Sequence, residues 1–178
     1  MCFFYIDGDT LTVTMDGSSR FAEWANNFMQ FGFFRRKKEN ERGRHFGMAR
    51  SGNLLYKDFK KKCGYIGDVK AVKINGKSRG GCLALQFAEN FVKEFKLADI
   101  TVVDTFGCPE FYDIEKAEEF MLLPLFEHNR FILENDFVGK MGLNLHHWQT
   151  KLIMMPTVKG KLDHLAYRES LDSMDVKG

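Results

Sequence analysis

A short apolar run opens the chain, and apolar and polar positions alternate after it, from Leu11 to Met15. Phe3–Ile6 and Leu11–Met15 read as two strands, and Asp7-Gly8-Asp9-Thr10 between them reads as a tight hairpin turn, because Asp-Gly tolerates the positive φ such turns need. From Ser18 the period changes. Phe21, Trp24, Ala25 and Phe28 fall on one face of a helix that Ser18-Ser19 caps and that runs to about Phe31, where Gly32 interrupts it. Phe46–Arg50 and Leu54–Phe59 read as two short strands joined by Ser51-Gly52-Asn53. Val69, Ala71, Val72 and Ile74 lead as a strand into a glycine-rich turn, Asn75–Cys82, followed by a helical segment, Leu83–Phe95. In that segment Phe87, Phe91 and Phe95 recur every four residues, so one face is apolar. Ile100–Val103 is strongly β-prone. A helix is expected from about Asp113 to Leu123, where Pro124 breaks it. Phe131–Val138 and Lys151–Met155 read as late strands, and Leu162–Leu171 as a last amphipathic helix. The order predicts an α/β protein, a mixed central sheet flanked by helices in a single domain over residues 1–178.

The turn at Asn75–Cys82 carries the strongest chemical signal. Its glycines let a ligand approach the backbone, and the first amides of the next helix lack intrahelical partners, which suits an anion. Lys77 and Arg79 add positive charge. A plain turn capping a crossover helix satisfies the same residues. The nucleotide P-loop does not fit, since Gly76-Lys77-Ser78 precedes the paired glycines, and the dinucleotide fingerprint is absent.

The segment resembles the acetyl-CoA motif of the GNAT superfamily of acyl-CoA N-acyltransferases, here Lys77-x-x-Gly80-x-Cys82-x-x-Leu85, over residues 66–126. Lys77 and Cys82 depart from that family's Arg/Gln and Gly/Ala, and Thr105 stands where it has an Asn. The resemblance implies a GNAT-like fold whose strands splay around a V-shaped cleft. It implies acetyl-CoA or a related acyl-CoA held by Lys77, Ser78, Arg79, Gly80, Gly81 and Cys82, with an acetyl or similar group transferred to an amine. Tyr112 then serves as general acid and Asp104, or secondly Glu110, as general base; Asp104 reads more commonly as a strand-end turn residue or helix cap, and Tyr112 also reads as a half-buried aromatic whose hydroxyl finds a backbone partner. A phage-type nucleic-acid-modifying variant is a subtype of that reading.

A second expectation rests on charge. Arg35, Arg36, Lys37, Lys38, Arg42 and Arg44 lie close together, opposed only by Glu39 and Glu41, and Lys60-Lys61-Lys62 adds a second cluster. Cations beside phenylalanines suit nucleic acid or another polyanion, and a non-enzymatic nucleic-acid-binding or regulatory protein is the alternative function. A solvated face with internal Glu–Arg/Lys pairs accounts for the same run. The net charge of +2 does not itself call for a nucleic-acid partner.

Composition bounds the rest. Eighteen phenylalanines favour a bulky core and leave apolar surface for self-association into a homo-oligomer. Scattered Cys2, Cys63, Cys82 and Cys108 suggest reduced thiols and a cytoplasmic location. Neither a leader peptide nor a membrane-spanning run is read, and no His/Cys spacing implies a metal. Cys108 has no assignable His partner, and no Ser-His-Asp arrangement follows from the spacing.

Overall fold

A computed structural model describes residues 2–17, 43–63, 66, 69–95, 100–122, 126–140, 151–157 and 166–168. The expected helix at Ser18–Phe31 lies outside these, as does most of the one at Leu162–Leu171.

The strand segments build one six-stranded sheet in the order β1-β2-β3-β4-β5-β6. Its strands are β1 (Cys2–Asp7), β2 (Thr10–Met15), β3 (Ala71–Lys77), β4 (Ile100–Phe106), β5 (Phe126–Leu133) and β6 (Lys151–Met155). The β1–β2 hairpin is antiparallel and every later pair is parallel. Parallel neighbours require crossover connections, and helices supply the first three: α1 (Phe46–Cys63), α2 (Arg79–Phe95) and α3 (Ile114–Met121).

Register aligns the inward side chains in rows. Val72 meets Leu11 and Thr101; Ile74 meets Val13 and Val103; Gly76 meets Met15 and Thr105. These rows are buried beneath α2. Above them Phe59, Phe87 and Phe91 interlock, with Phe59 and Phe87 edge to face at 5.1 Å and Tyr56 edge to face on Phe87 at 5.2 Å. Each buried aromatic ring contributes about 2–3 kcal/mol of apolar burial. A smaller cluster, Leu133, Met155, Ala166 and Tyr167, gathers with Phe106 and Phe131.

Three expectations change. The two strands read at Phe46–Arg50 and Leu54–Phe59 are a single helix, α1. Met48, Ala49, Gly52, Tyr56 and Phe59 are its buried face, a helical spacing that Ser51-Gly52-Asn53 disguised as a turn. Gly52 marks the crossing with α2, where a Cβ would meet Gln86 Cβ at 2.6 Å. The late strand starts earlier, at Phe126, and ends at Leu133. Finally, β3 and β4 stay hydrogen-bonded neighbours from Ala71↔Ile100 to Lys77↔Phe106. No V-shaped cleft opens between them, so the GNAT-like fold is corrected to a mostly parallel sheet. Among the described residues no helix is long and apolar enough to cross a membrane.

Candidate active site

β3 ends at Lys77 and α2 begins at Arg79, so Ser78 alone forms the turn. It turns at φ 55°, the only non-glycine residue with positive φ among those described. An L-residue pays a steric cost in that region, and such outliers persist where the surroundings over-determine them. Here they do: Ser78 N–H donates to the Phe106 carbonyl at 2.8 Å, and the Ser78 carbonyl accepts from Gly81 N–H at 2.9 Å.

Glycine on either side makes this turn possible. A Cβ at Gly76 would sit 2.5 Å from the Gly80 carbonyl oxygen, and one at Gly80 would sit 2.2 Å from the Met15 carbonyl oxygen. The loop leaving β2 presses on the same point, with Gly17 so close that a Cβ would be 3.0 Å from Ser78 Cβ. Ser78 therefore stands at the N-terminus of α2, wedged between the C-terminal ends of β2, β3 and β4, and 6% exposed.

The loops after β4 and β5 meet beside it. Gly107, next after the Phe106 that holds Ser78, has φ 57°. A Cβ there would fall 2.6 Å from Asp136 Oδ2 and 2.8 Å from the Tyr167 hydroxyl. Asp136 is fully buried. Its Oδ2 accepts from the Tyr167 hydroxyl at 2.6 Å and its Oδ1 from Val138 N–H at 2.9 Å. Burial, then this bond to Asp136, pushes the Tyr167 phenol well above its usual range. Arg130 is buried behind the same loop and donates to the Gly139 carbonyl. The Tyr167 hydroxyl and the Val138 amide fix the aim of this buried carboxyl. On the other flank of Ser78, Arg79 donates to Ser51 Oγ at 3.3 Å. A cleft of about 470 Å³ opens there, lined by Met15, Gly17, Leu54, Leu55, Arg79 and Leu83 among others.

The residues singled out from sequence divide. Lys77, Ser78, Arg79, Gly80, Gly81 and Cys82 do share one place, but as strand end, single-residue turn and first helical turn. Cys82 Sγ lies 3.5 Å from Cys108 Sγ, both buried, and burial holds the Cys82 thiol up and protonated. Asp104 accepts from Asn129 across the β4–β5 pair at 2.9 Å. Tyr112 is fully buried against Phe111, and burial followed by Glu89 raises its phenol. Glu110 lies between them in the loop after β4, half-buried. Arg44 is buried and forks onto Glu89 of α2, which removes it from any exposed polyanion surface. Arg35, Arg36, Lys37, Lys38 and Arg42 lie outside the described residues. Sequence reasoning missed Asp136 and read Ser78 in the wrong frame. The pattern Gly76-x-Ser78-x-Gly80 between a strand and a helix was the available signal.

The family model described as lipase (class 3) matches residues 12–145, three-quarters of the chain. No curated protein compared with the sequence matches it. Among solved structures, the lipase from Rhizopus microsporus var. chinensis superposes with TM-score 0.66 at 18% identity, covering 91% of this chain and 58% of that one. The Rhizomucor miehei triacylglyceride lipase gives TM-score 0.61 at 18% identity, over 84% of this chain and 57% of the other. For the mono- and diacylglycerol lipase from Aspergillus oryzae the values are 0.60 and 18%, over 81% and 54%. At such identity the likeness shows a shared fold, and the chain spans a little over half the length of these lipases. The family match overturns the resemblance to GNAT proteins. With it go acyl transfer, acetyl-CoA as cofactor, the acyl-CoA and nucleic-acid partners and the nucleic-acid-binding alternative. The general-acid and general-base roles of Tyr112, Asp104 and Glu110 were tied to that chemistry.

Proposed function

The chain belongs to the class 3 lipase family, and from that premise we propose that it is a serine hydrolase of carboxylic esters, with lipid esters as its substrate class. The observation that carries the proposal is Ser78, held at φ 55° between Gly76 and Gly80 on a strand-to-helix turn. That is the geometry of a nucleophile elbow, which presents a serine hydroxyl at the head of a parallel sheet. The polar and apolar parts of the surroundings suit the same chemistry. The amide of Arg79, directly after the serine, would face the oxyanion of a tetrahedral intermediate. The apolar wall of the 470 Å³ cleft suits an acyl chain.

Asp136 is the proposed acid of the triad, at the end of β5 and buried with two donors. The proposed base is His164, which lies outside the described residues. It follows Asp136 in the chain and precedes Tyr167 by three residues, a span of at most about 11 Å. Nucleophile, acid and base then run in the order Ser, Asp, His. In this scheme Ser78 Oγ attacks the ester carbonyl carbon and gives its proton to His164. The imidazole passes that proton to the departing alcohol as the C–O bond breaks, leaving an acyl-serine. Water attacks the acyl-serine, His164 takes its proton and returns it to Ser78, and a carboxylic acid leaves. Asp136 stabilises the imidazolium throughout. The names of the similar lipases, which specify triacylglyceride, monoacylglycerol and diacylglycerol, suggest acylglycerols as the first substrates to test.

The test is hydrolysis of p-nitrophenyl and glycerol esters together with covalent labelling by a fluorophosphonate. Activity and a label on Ser78, both lost in Ser78→Ala, are expected. A folded wild-type chain that neither reacts with the probe nor cleaves any of the esters overturns the proposal.

A further inference from the structure

The sheet ends at β1, whose outer edge has no strand beside it among the described residues. Sheet edges are ordinarily protected by lysine, proline, a bulge or an overlying loop. From Cys2 to Ile6 the strand contains only Cys, Phe, Phe, Tyr and Ile; Asp7 is its sole charge. Three of its large side chains are exposed, Phe3 at 54%, Tyr5 at 60% and Ile6 at 47%. Nothing in the proposed ester chemistry uses them. By contrast Phe4 points to the helical face and meets Phe59 of α1 edge to face at 5.4 Å. Phe3 and Tyr5 stand on the opposite face, over Thr14 and Thr12 of β2.

We propose that β1 pairs antiparallel with β1 of a second copy about a two-fold axis through Phe4, joining the two sheets into one of twelve strands. The occupant follows from self-complementarity. A two-fold axis normal to the sheet keeps both helical layers on one face and sets residue i opposite residue j with i + j even. Centring on Phe4 sets Phe3 opposite Tyr5 of the partner, so two cross-strand aromatic pairs form on the outer face. Cys2 then faces Ile6 on the helical face, and Asp7 falls beyond the paired apolar run. Shifting the axis to Tyr5 would set Phe3 against Asp7; shifting it to Phe3 would carry Tyr5 and Ile6 past the end of the partner's β1 strand, Cys2–Asp7. Only the Phe4 axis pairs every apolar residue of β1 with another. An isologous contact of this kind closes at two copies.

The experiment is light scattering on the eluting full chain over a range of concentrations. A particle of twice the chain mass is expected, dissociating on dilution. Phe3→Lys with Tyr5→Lys sets lysine opposite lysine at both pairs and should weaken association at least tenfold, with the far-UV spectrum unchanged. Phe3→Glu with Tyr5→Lys sets opposite charges face to face in this register alone, and should restore the dimer. A chain that stays monomeric at every concentration overturns the proposal. So does a dimer indifferent to the double lysine variant, failure of the charge-paired variant to restore it, or open-ended higher oligomers, which would mean that β1 meets a different edge. None of these outcomes depends on whether Ser78 is a nucleophile.

Discussion

Tyr167 donates its hydroxyl proton to Asp136 Oδ2 over 2.6 Å, across 31 residues of sequence. The same hydroxyl accepts from Leu133 N–H at 3.2 Å, so one phenol ties the end of β5 to the carboxylate that follows it. Tyr167→Phe removes both bonds and leaves the buried Asp136 carboxyl with one fewer donor. The expected loss is about 1.5–3 kcal/mol in denaturant unfolding. If Asp136 orients a catalytic imidazole, kcat for ester hydrolysis should fall while KM stays near its wild-type value. An equal change in both would assign Tyr167 to substrate binding instead.

Gly80 and Gly8 separate steric crowding from backbone conformation. Gly80→Ala drives a methyl to 2.2 Å from the Met15 carbonyl oxygen, an atom of the sheet that has nowhere to go. Gly8 has φ 59° in the hairpin turn, but nothing lies within 4 Å of its Cβ position. Gly8→Ala should cost only about 1 kcal/mol, whereas Gly80→Ala should cost about 3 kcal/mol or more. Comparable thermal shifts in the two variants would contradict this ordering.

Glu89 is 1% exposed and gathers Arg44, Lys93 and Lys116. Glu89→Gln neutralises the carboxylate onto which the buried Arg44 guanidinium forks, and a broken buried pair costs about 3–5 kcal/mol. Lys93 is 57% exposed, so Lys93→Ala should cost less than about 1 kcal/mol. Equilibrium urea unfolding of the two variants distinguishes the partners.

Burial pulls the His45 imidazole below its ordinary 6.5, with a backbone hydrogen bond opposing it in part. The native ring thus stays neutral where the unfolded ring has taken up a proton. Between those two values the unfolded state binds more protons, so stability falls as pH drops through 6.5 towards the native value. The unfolding midpoint should fall between about pH 7.5 and about pH 5.5, and fall less in His45→Asn. An identical drop in both proteins would place the acid sensitivity elsewhere.

What the sequence made legible was local. β2 follows from two-residue alternation, the hairpin from its Asp-Gly turn, and β1 and β6 from short apolar runs, none of which needs a distant partner. α1 was misread because Gly52, a helix-crossing residue whose reason lies at Gln86, has the look of a turn. Arg44 looked like part of a basic surface because its countercharge lies 45 residues ahead. The site failed in a similar way. Gly76, Ser78 and Gly80 stood inside the very turn judged most informative, yet two of the three are glycine because of Met15 and α2, not because of an anion. Asp136 was absorbed into an overlong strand, Phe131–Val138, since nothing local marks the end of β5 at Leu133.

Ser78 sets conformation against function most directly. Its φ of 55° puts a Cβ where an L-residue is disfavoured by about 1–2 kcal/mol, and that cost is borne by the folded state. Ser78→Ala keeps the Cβ and the strain; Ser78→Gly removes both. Each variant loses the hydroxyl, so ester hydrolysis should fall by about 10⁴-fold or more in both if Ser78 is the nucleophile. Their stabilities should differ nonetheless. The glycine variant gains the relief of strain and gives back part of it to the greater freedom of its unfolded chain. It should therefore unfold later than the alanine variant, by about 1 kcal/mol. Calorimetry on the pair measures that difference directly. An alanine variant as stable as the glycine one would mean that the turn at Ser78 stores no strain, and would remove the main physical reason for reading it as an elbow.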